Sequence, residues 1–246
     1  MNCGLGRVML VTIVCLTSAC TREPRLPTYP HLDAEEALGI VARRSRSLTS
    51  LSASCRLRLE ESSGTAILLD GVLVSRPPSQ MRIRTWKAGQ LVFDLLADEG
   101  ELWLLSTQLD DDNGANLSQA LDPEGIVESL SLVTGSFIDG ARISSLSDEF
   151  IIAERPDGNS SMLLRALIDR NTLTLRQCTL VDERGVERYR LTLDRHVVID
   201  EHPMPSRIIG FGEAGRFTLR LSDIEVNQPL AGSAFHRPPA AVRLMR

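Results

Sequence analysis

The residue groups that could carry chemistry in this chain are few, and most are disarmed by their neighbours. Gly210-Phe211-Gly212-Glu213-Ala214-Gly215 matches G-x-G-x-x-G. A dinucleotide site needs a helix next, with its N-terminus aimed at the pyrophosphate. Here Phe217, Leu219 and Leu221 alternate with polar residues, which announces a strand, so the glycines mark a hairpin turn. Asp110-Asp111-Asp112-Asn113-Gly114 invites a calcium reading. Such a loop needs glycine sixth and glutamate twelfth, and those places hold Ala115 and Leu121. A solvated acidic loop is expected instead. His31, His196, His202 and His236 form no H-E-x-x-H pair and accompany no C-x-x-C. No G-x-S-x-G elbow is present. No metal, cofactor or catalytic centre is therefore expected, although a triad gathered from distant residues leaves no local spacing to read.

Cysteine chemistry is the exception. Arg7 precedes the apolar run Val8 to Leu16, and Leu16-Thr17-Ser18-Ala19 leads into Cys20. A cation, a short apolar core and small residues make an export signal over 1–19. The cysteine at the cut resembles a bacterial lipobox, with the leucine four places ahead of it and Thr17 where leucine is more usual. Two readings follow: Cys20 is acylated on its thiol and anchors the chain, or the signal is ordinary and Cys20 incidental. The first is preferred, since several acyl chains on one residue anchor stably where one does not. Thr21, not aspartate, follows. Under the enterobacterial sorting rule this favours the outer membrane over the inner, facing the periplasm. Cys55 and Cys178 remain after processing. Cys55 keeps phase with Leu57 and Leu59, whereas Cys178 is out of phase with Leu173 and Leu175, so two separate buried thiols are expected rather than a disulfide.

The elements that must position any site are mostly strands. Residues 20–32 carry Pro24, Pro27 and Pro30 and read as an extended tether. Asp33 caps a helix with Glu36 three residues on, and Ala34, Ala37, Leu38 and Val41 form its apolar stripe. From Leu51 the period becomes two. Strands are predicted from Leu51, over 65–76 with a bend or bulge at Gly71, around Met81 and Ile83, over 91–95 and over 101–107, joined as antiparallel hairpins. Asp122 and Pro123 open a second helix with Ile126, Val127, Leu130 and Val133 on its face, and Gly135 ends it. Further strands are predicted at about 149–154, 162–168, 173–181, 186–193, 206–212 and 216–226. His202 is read as part of a turn, and 241–246 as a tail.

The fold class is thus α+β, mainly antiparallel β, with about 10–11 strands and two or more helices in a domain spanning 33–240. Only one sheet face is apolar, and two helices are too little to fill a wide curved sheet, so a concave apolar interior is expected. Leu57, Leu59, Leu73, Met81, Ile83, Phe93 and Leu95 are expected to line it from the first half. Leu164, Leu191, Leu193, Phe217 and Leu219 line it from the second, and Ile126 and Leu130 cover it from the helix. The same stripes also suit a solid core. Trp86, beside the tip Lys87-Ala88-Gly89, either touches a membrane or a cargo chain, or folds back over its own sheet. The net charge of -5, and the lack of any basic run beyond Arg43, Arg44 and Arg46, argue against a nucleic-acid partner.

Residues Gly71-Val72-Leu73-Val74-Ser75-Arg76-Pro77, Arg82, Leu91 to Leu95 and the strand at Trp103 together resemble the LolA/LolB superfamily. Met204-Pro205-Ser206, Phe217-Thr218-Leu219, Ile224, Asn227 and Phe235 with Pro238-Pro239 are similar to its final strands and C-terminal end. The resemblance covers about residues 35–240. It implies an incomplete, strongly curved β-barrel lidded by helices that holds acyl chains, in proteins that carry or receive lipoproteins between bacterial membranes. For this chain it implies acyl chains of lipoproteins or lipids as ligands, membrane attachment through Cys20 and a soluble LolA-like carrier as partner. The alternative is an envelope lipoprotein that uses the same fold as a sensor or assembly scaffold without transporting anything.

Overall fold

The computed structural model describes residues 25–61, 64–107, 123–156, 161–212 and 215–244. The Asp110–Gly114 loop, Cys20 and the Asp122 cap lie outside them. Helix α1 is Ala34–Ser47, and α2 is Pro123–Val133. The first sheet half is β1 Leu51–Glu61, β2 Ala66–Arg76, β3 Gln80–Lys87, β4 Gln90–Asp98 and β5 Glu101–Ser106. After α2 come β6 Arg142–Leu146, β7 Phe150–Pro156, β8 Leu163–Asp169, β9 Thr174–Val181 and β10 Glu187–Ile199. The chain finishes with β11 His202–Gly212, β12 Gly215–Val226 and β13 Val242–Leu244. These make one 13-stranded antiparallel sheet in the order β13-β5-β4-β3-β2-β1-β12-β11-β10-β9-β8-β7-β6. The two halves meet at β1 and β12, and β6 and β13 are its edges, so the barrel is open among the described residues.

Period-2 alternation sets the register. One row of inward side chains runs Leu69, Leu57, Leu219, Ile208 and Leu193 across five strands. A second runs Ile67, Leu59, Phe217, Gly210, Leu191, Cys178 and Ala166. In that row Gly210 is obligatory, because a Cβ there would lie 2.2 Å from Phe217 and 2.6 Å from the Tyr189 hydroxyl. The G-x-G-x-x-G segment is the β11–β12 hairpin, as read from sequence. Gly71 is different from expectation. The β1–β2 and β2–β3 registers pass through it without a shift. Glycine is needed because a Cβ would sit 2.4 Å from the Arg84 carbonyl oxygen.

The sheet has more strands than the 10–11 expected. Among the described residues β6 pairs only with β7, and it is exposed along most of its length, so its sequence carries no alternation to read. β13 lies in the segment read as a tail and pairs with β5. β11 begins at His202, not after it. Asp200 and Glu201 form the turn with positive φ, and Pro203 and Pro205 sit inside the strand, where proline ordinarily argues against one. The tether read over 20–32 also docks early. The Tyr29 amide donates to the Asn171 carbonyl at 2.7 Å, and Arg170 donates to the Leu32 carbonyl at 3.1 Å.

Each helix has its predicted cap or stop. The Asp33 carboxylate accepts from the Glu35 amide at 2.9 Å, which satisfies one orphan donor of the first turn. Gly135 follows α2 with φ +90, the left-handed stop that glycine adopts freely. Ala34 and Ala37 bury one side of α1, and Ile126, Val127 and Leu130 bury one side of α2 against the sheet.

Candidate functional site

The inward face is the candidate site. All the side chains expected to line it belong to one apolar cluster with the α2 residues Ile126 and Leu130, and none is more than 6% exposed. The register explains the meeting. Ile83 lies between Leu73 and Leu95, Leu57 opposite Leu219, and Leu59 opposite Phe217. In this structure they are buried together in one cluster with the α2 residues. Two hollows border α2. One, of about 70 Å3, lies between the C-terminal turn of α2, α1 and Met204. The other, of about 220 Å3, lies between Val127, Ser131, Met81 and Ala97. Both are smaller than the 300 Å3 at which small-molecule sites begin.

Polar side chains in this interior went unnoticed in the sequence. The Ser129 and Tyr189 hydroxyls meet at 2.5 Å, and Ser129 also donates to the Gly125 carbonyl at 2.6 Å. The Ser45 hydroxyl donates to the Thr134 carbonyl at 3.0 Å. These bonds latch α2 to β10 at one end and to α1 at the other. Thr85 is wholly buried beside Gly71 and Phe93, with no partner for its hydroxyl. A serine or threonine at an apolar-phase position, such as Ser129 among Ile126 and Leu130 or Thr85 after Ile83, is the sequence signal that could have revealed them.

Cys55 and Cys178 are both free and buried. Cys178 faces the interior as Leu175 does, because the β8–β9 register slips between Leu167 and Ile168 and a bulge flips the phase. The expected separation of the thiols holds, for a different reason from the phase mismatch. Burial pushes the Cys55 thiol up to about 12, with Asp70 adding to it, and pushes Cys178 up further still. Both thiols stay protonated and poorly nucleophilic at neutral pH. Among the described residues no group of acidic, histidine and cysteine side chains could hold a metal ion, and no helix is long and apolar enough to cross a membrane.

The outward face is built in two parts. Over β3 to β5 it is covered by the C-terminal segment. Arg82, 9% exposed, forks onto Asp94 at 2.7 and 2.6 Å and donates to the Ala234 and His236 carbonyls at 2.9 and 3.1 Å. Phe235 is buried there, and Arg237 stacks on Trp103 at 4.4 Å. Trp86 stands on this outward face, half-buried beneath Arg84 at 5.5 Å, away from the apolar interior. Over β1, β11 and β12 the face is open and holds arginines that the sequence scatters. Period-2 strands bring Arg56 opposite Arg220 and Arg220 opposite Arg207.

No known family model matches the sequence, and no curated protein matches it. Solved structures do. A LolA superfamily protein from Nitrosomonas europaea aligns with TM-score 0.59 and 16% identity, over 84% of this chain and 98% of the other. A domain provisionally named an outer membrane lipoprotein-sorting protein, from Vibrio parahaemolyticus, aligns with TM-score 0.59 and 17% identity over 83% of this chain and 97% of its own. A DUF1329 family protein from Desulfovibrio piger gives TM-score 0.59 and 10% identity over 82% and 96%. At these identities the likeness is one of backbone and not of side chains. The open, curved antiparallel sheet lidded by helices is a LolA-like fold.

Proposed function

We propose that this protein is an exported lipoprotein that binds acyl chains between α2 and the inward face of its sheet, in lipoprotein or lipid transfer or in their reception at the outer membrane. The observation that carries the reading is the placement of α2. It packs on the inward aliphatic face at β11, with hollows beside it and hydroxyl bonds that tie it to β10 and α1. Displacing α2 would open the apolar cluster that holds Met81, Ile83, Phe93 and Leu95 of one sheet half and Leu191, Leu193, Phe217 and Leu219 of the other. Each methylene of a fatty chain that replaces it there is stabilised by about 0.8 kcal/mol. The unpartnered Thr85 hydroxyl offers a hydrogen bond to an ester or amide oxygen of the ligand.

Binding needs no catalytic group, and none is assigned. The partners proposed are the acyl chains, a membrane reached through an acylated Cys20, and a soluble LolA-like carrier that delivers cargo. The likeness in fold to a LolA superfamily protein and to a lipoprotein-sorting domain supports this choice among ligands. Trp86, half-exposed on the outward face, is proposed as a membrane contact rather than a cargo contact.

A second reading, a non-transporting scaffold with a filled core, is favoured by the near-complete burial of every interior residue. Capture of a fluorescent fatty acid separates the two. Wild type should bind it, and Met81→Glu should bind at least tenfold more weakly while still melting cooperatively, because Met81 borders the larger hollow and its charge can reach water. Failure of wild type to capture either the fatty acid or an acylated lipoprotein would leave the scaffold reading standing.

A further inference from the structure

The outward face carries a second feature that the interior site does not use. Five arginines converge on a hollow of about 560 Å3 over β1, β11 and β12: Arg56, Arg58, Arg207, Arg216 and Arg220, with Glu60 as the one acidic residue lining it. The chain as a whole is acidic, at -5, so the patch reverses the sign of the molecule locally. Its centre is a row of like charges. Arg56, Arg220 and Arg207 occupy directly opposed positions on three adjacent strands, an arrangement that costs folding energy.

The two outer arginines of that row are each neutralised from outside. Asp70 of β2 pairs with Arg56 at 3.0 Å, and Asp194 of β10 forks with Arg207. Arg220, between them, is exposed and has no carboxylate partner among the described residues. An uncompensated cation thus faces solvent with a paired arginine on either side. Planar guanidinium groups in that setting match the oxygens of a phosphate. Apolar side chains flank the same hollow. Leu68, opposite Arg58, is 55% exposed, and Phe211, opposite Arg216, is 40% exposed with Arg216 stacked on its ring at 4.9 Å. Arginine beside an exposed ring and an exposed leucine suits the interface between headgroups and acyl chains. It does not suit a freely dissolved anion.

We propose that the outward face at Arg220 is a membrane-docking site that takes the phosphate of an anionic lipid headgroup, with Phe211 and Leu68 entering the interface beside it. This site is separate from the interior and stands whether or not acyl chains bind there. It would hold the domain against the bilayer by its sheet face, in addition to any N-terminal anchor.

The test uses the chain from residue 20 onward with Cys20→Ser, so that no acyl group contributes. Binding is measured to vesicles of phosphatidylcholine with and without 30% phosphatidylglycerol. The chain should bind the anionic vesicles and not the neutral ones, and raising the salt should weaken it. Arg220→Gln should weaken binding about fivefold, and Phe211→Ser should weaken it with no change in charge. Arg142→Gln, an equal loss of charge on the far edge strand β6, should change it less than twofold. Because it removes a like-charge contact, Arg220→Gln should also raise the melting temperature, which a merely structural arginine would not do. Absence of binding to anionic vesicles overturns the proposal, and so does equal weakening by Arg142→Gln and Arg220→Gln. If Phe211→Ser is silent and millimolar inorganic phosphate displaces the vesicles, the site belongs to a soluble anion and the lipid assignment fails.

Discussion

At the scale of single residues, the sharpest consequences come from ionisable groups held away from water. Burial, with Arg176 adding to it, lowers the His196 pKa from 6.5 to about 4, and its Nδ1 has no partner. The folded form therefore keeps the ring neutral through a range where the unfolded chain protonates it. That contribution is fully present above pH 6.5 and is lost as pH falls toward 4. Wild type should lose about 2 kcal/mol of unfolding free energy between pH 7 and pH 5 through this group, and His196→Gln should flatten that part of the curve in denaturant titrations. The Arg82–Asp94 pair behaves differently. Asp94→Ala leaves a buried guanidinium without its carboxylate and should cost about 3–5 kcal/mol. Arg82→Met combined with Asp94→Leu should restore most of that stability, yet leave residues 232–237 open to limited proteolysis, since the bonds to the Ala234 and His236 carbonyls are gone. The sequence told little of this pair. Arg82 sits at a polar-phase position of β3, and only the return of the C-terminal segment, about 150 residues later, buries it.

At the scale of elements, α2 is the part that distinguishes a cover from a core. Its hold on β10 passes through the Tyr189 hydroxyl, and Tyr189→Phe removes that bond while keeping the ring that packs over Gly210 and Gly212. The change should cost about 1 kcal/mol. Amide exchange in α2 should quicken about fivefold, with the strands unchanged, as read by hydrogen–deuterium exchange. The elements themselves were legible wherever one face is buried and the other wet, as in β1 and β12, whose alternation runs almost unbroken. Legibility failed for three physical reasons. β6 is wet on most of its length and has no pattern, β11 contains prolines in its first turn of pairing, and a bulge in β9 shifts Cys178 into phase with the interior. The expected apolar side chains of the interior are all buried in it, while Ser129, Thr85 and the phase of Cys178 escaped the pattern. The cover of the interior by Ile126 and Leu130 of α2 was readable too, but the hydroxyl bonds that fix α2 there were not, because periodicity reports which way a side chain points and not what it bonds to.

At the scale of the whole molecule, the proposed anchor and the fold fix how far the domain can stand from a membrane. Residues 29–32 are docked on the β8–β9 turn, so a lipid on Cys20 would lie nine residues from the docked chain, a reach of at most roughly 25–30 Å at about 3 Å per extended residue. Cys20→Ser should move the protein from the membrane fraction to the soluble fraction of its host at high salt, where the arginine face contributes least. Retention at high salt would mean that Cys20 is not the anchor. The arginine face itself was invisible along the chain, because its members are separated by up to 164 positions, from Arg56 to Arg220, and only antiparallel pairing of β1 with β12 brings them together.

The C-terminal segment bears on the order in which the molecule is completed. A chain made from its N-terminus lays down β3 and β4 early, and with them two charges that the finished fold buries. Their remaining partners, the Ala234 and His236 carbonyls, are made about 150 residues later. Until those arrive, the outward side of β3 to β5 stays solvated and β5 keeps an unpaired edge, which β13 later fills. Residues 234–244 thus act as a completeness check: a chain cut short before Ala234 would present a bare strand edge and an exposed ion pair, features that proteases recognise.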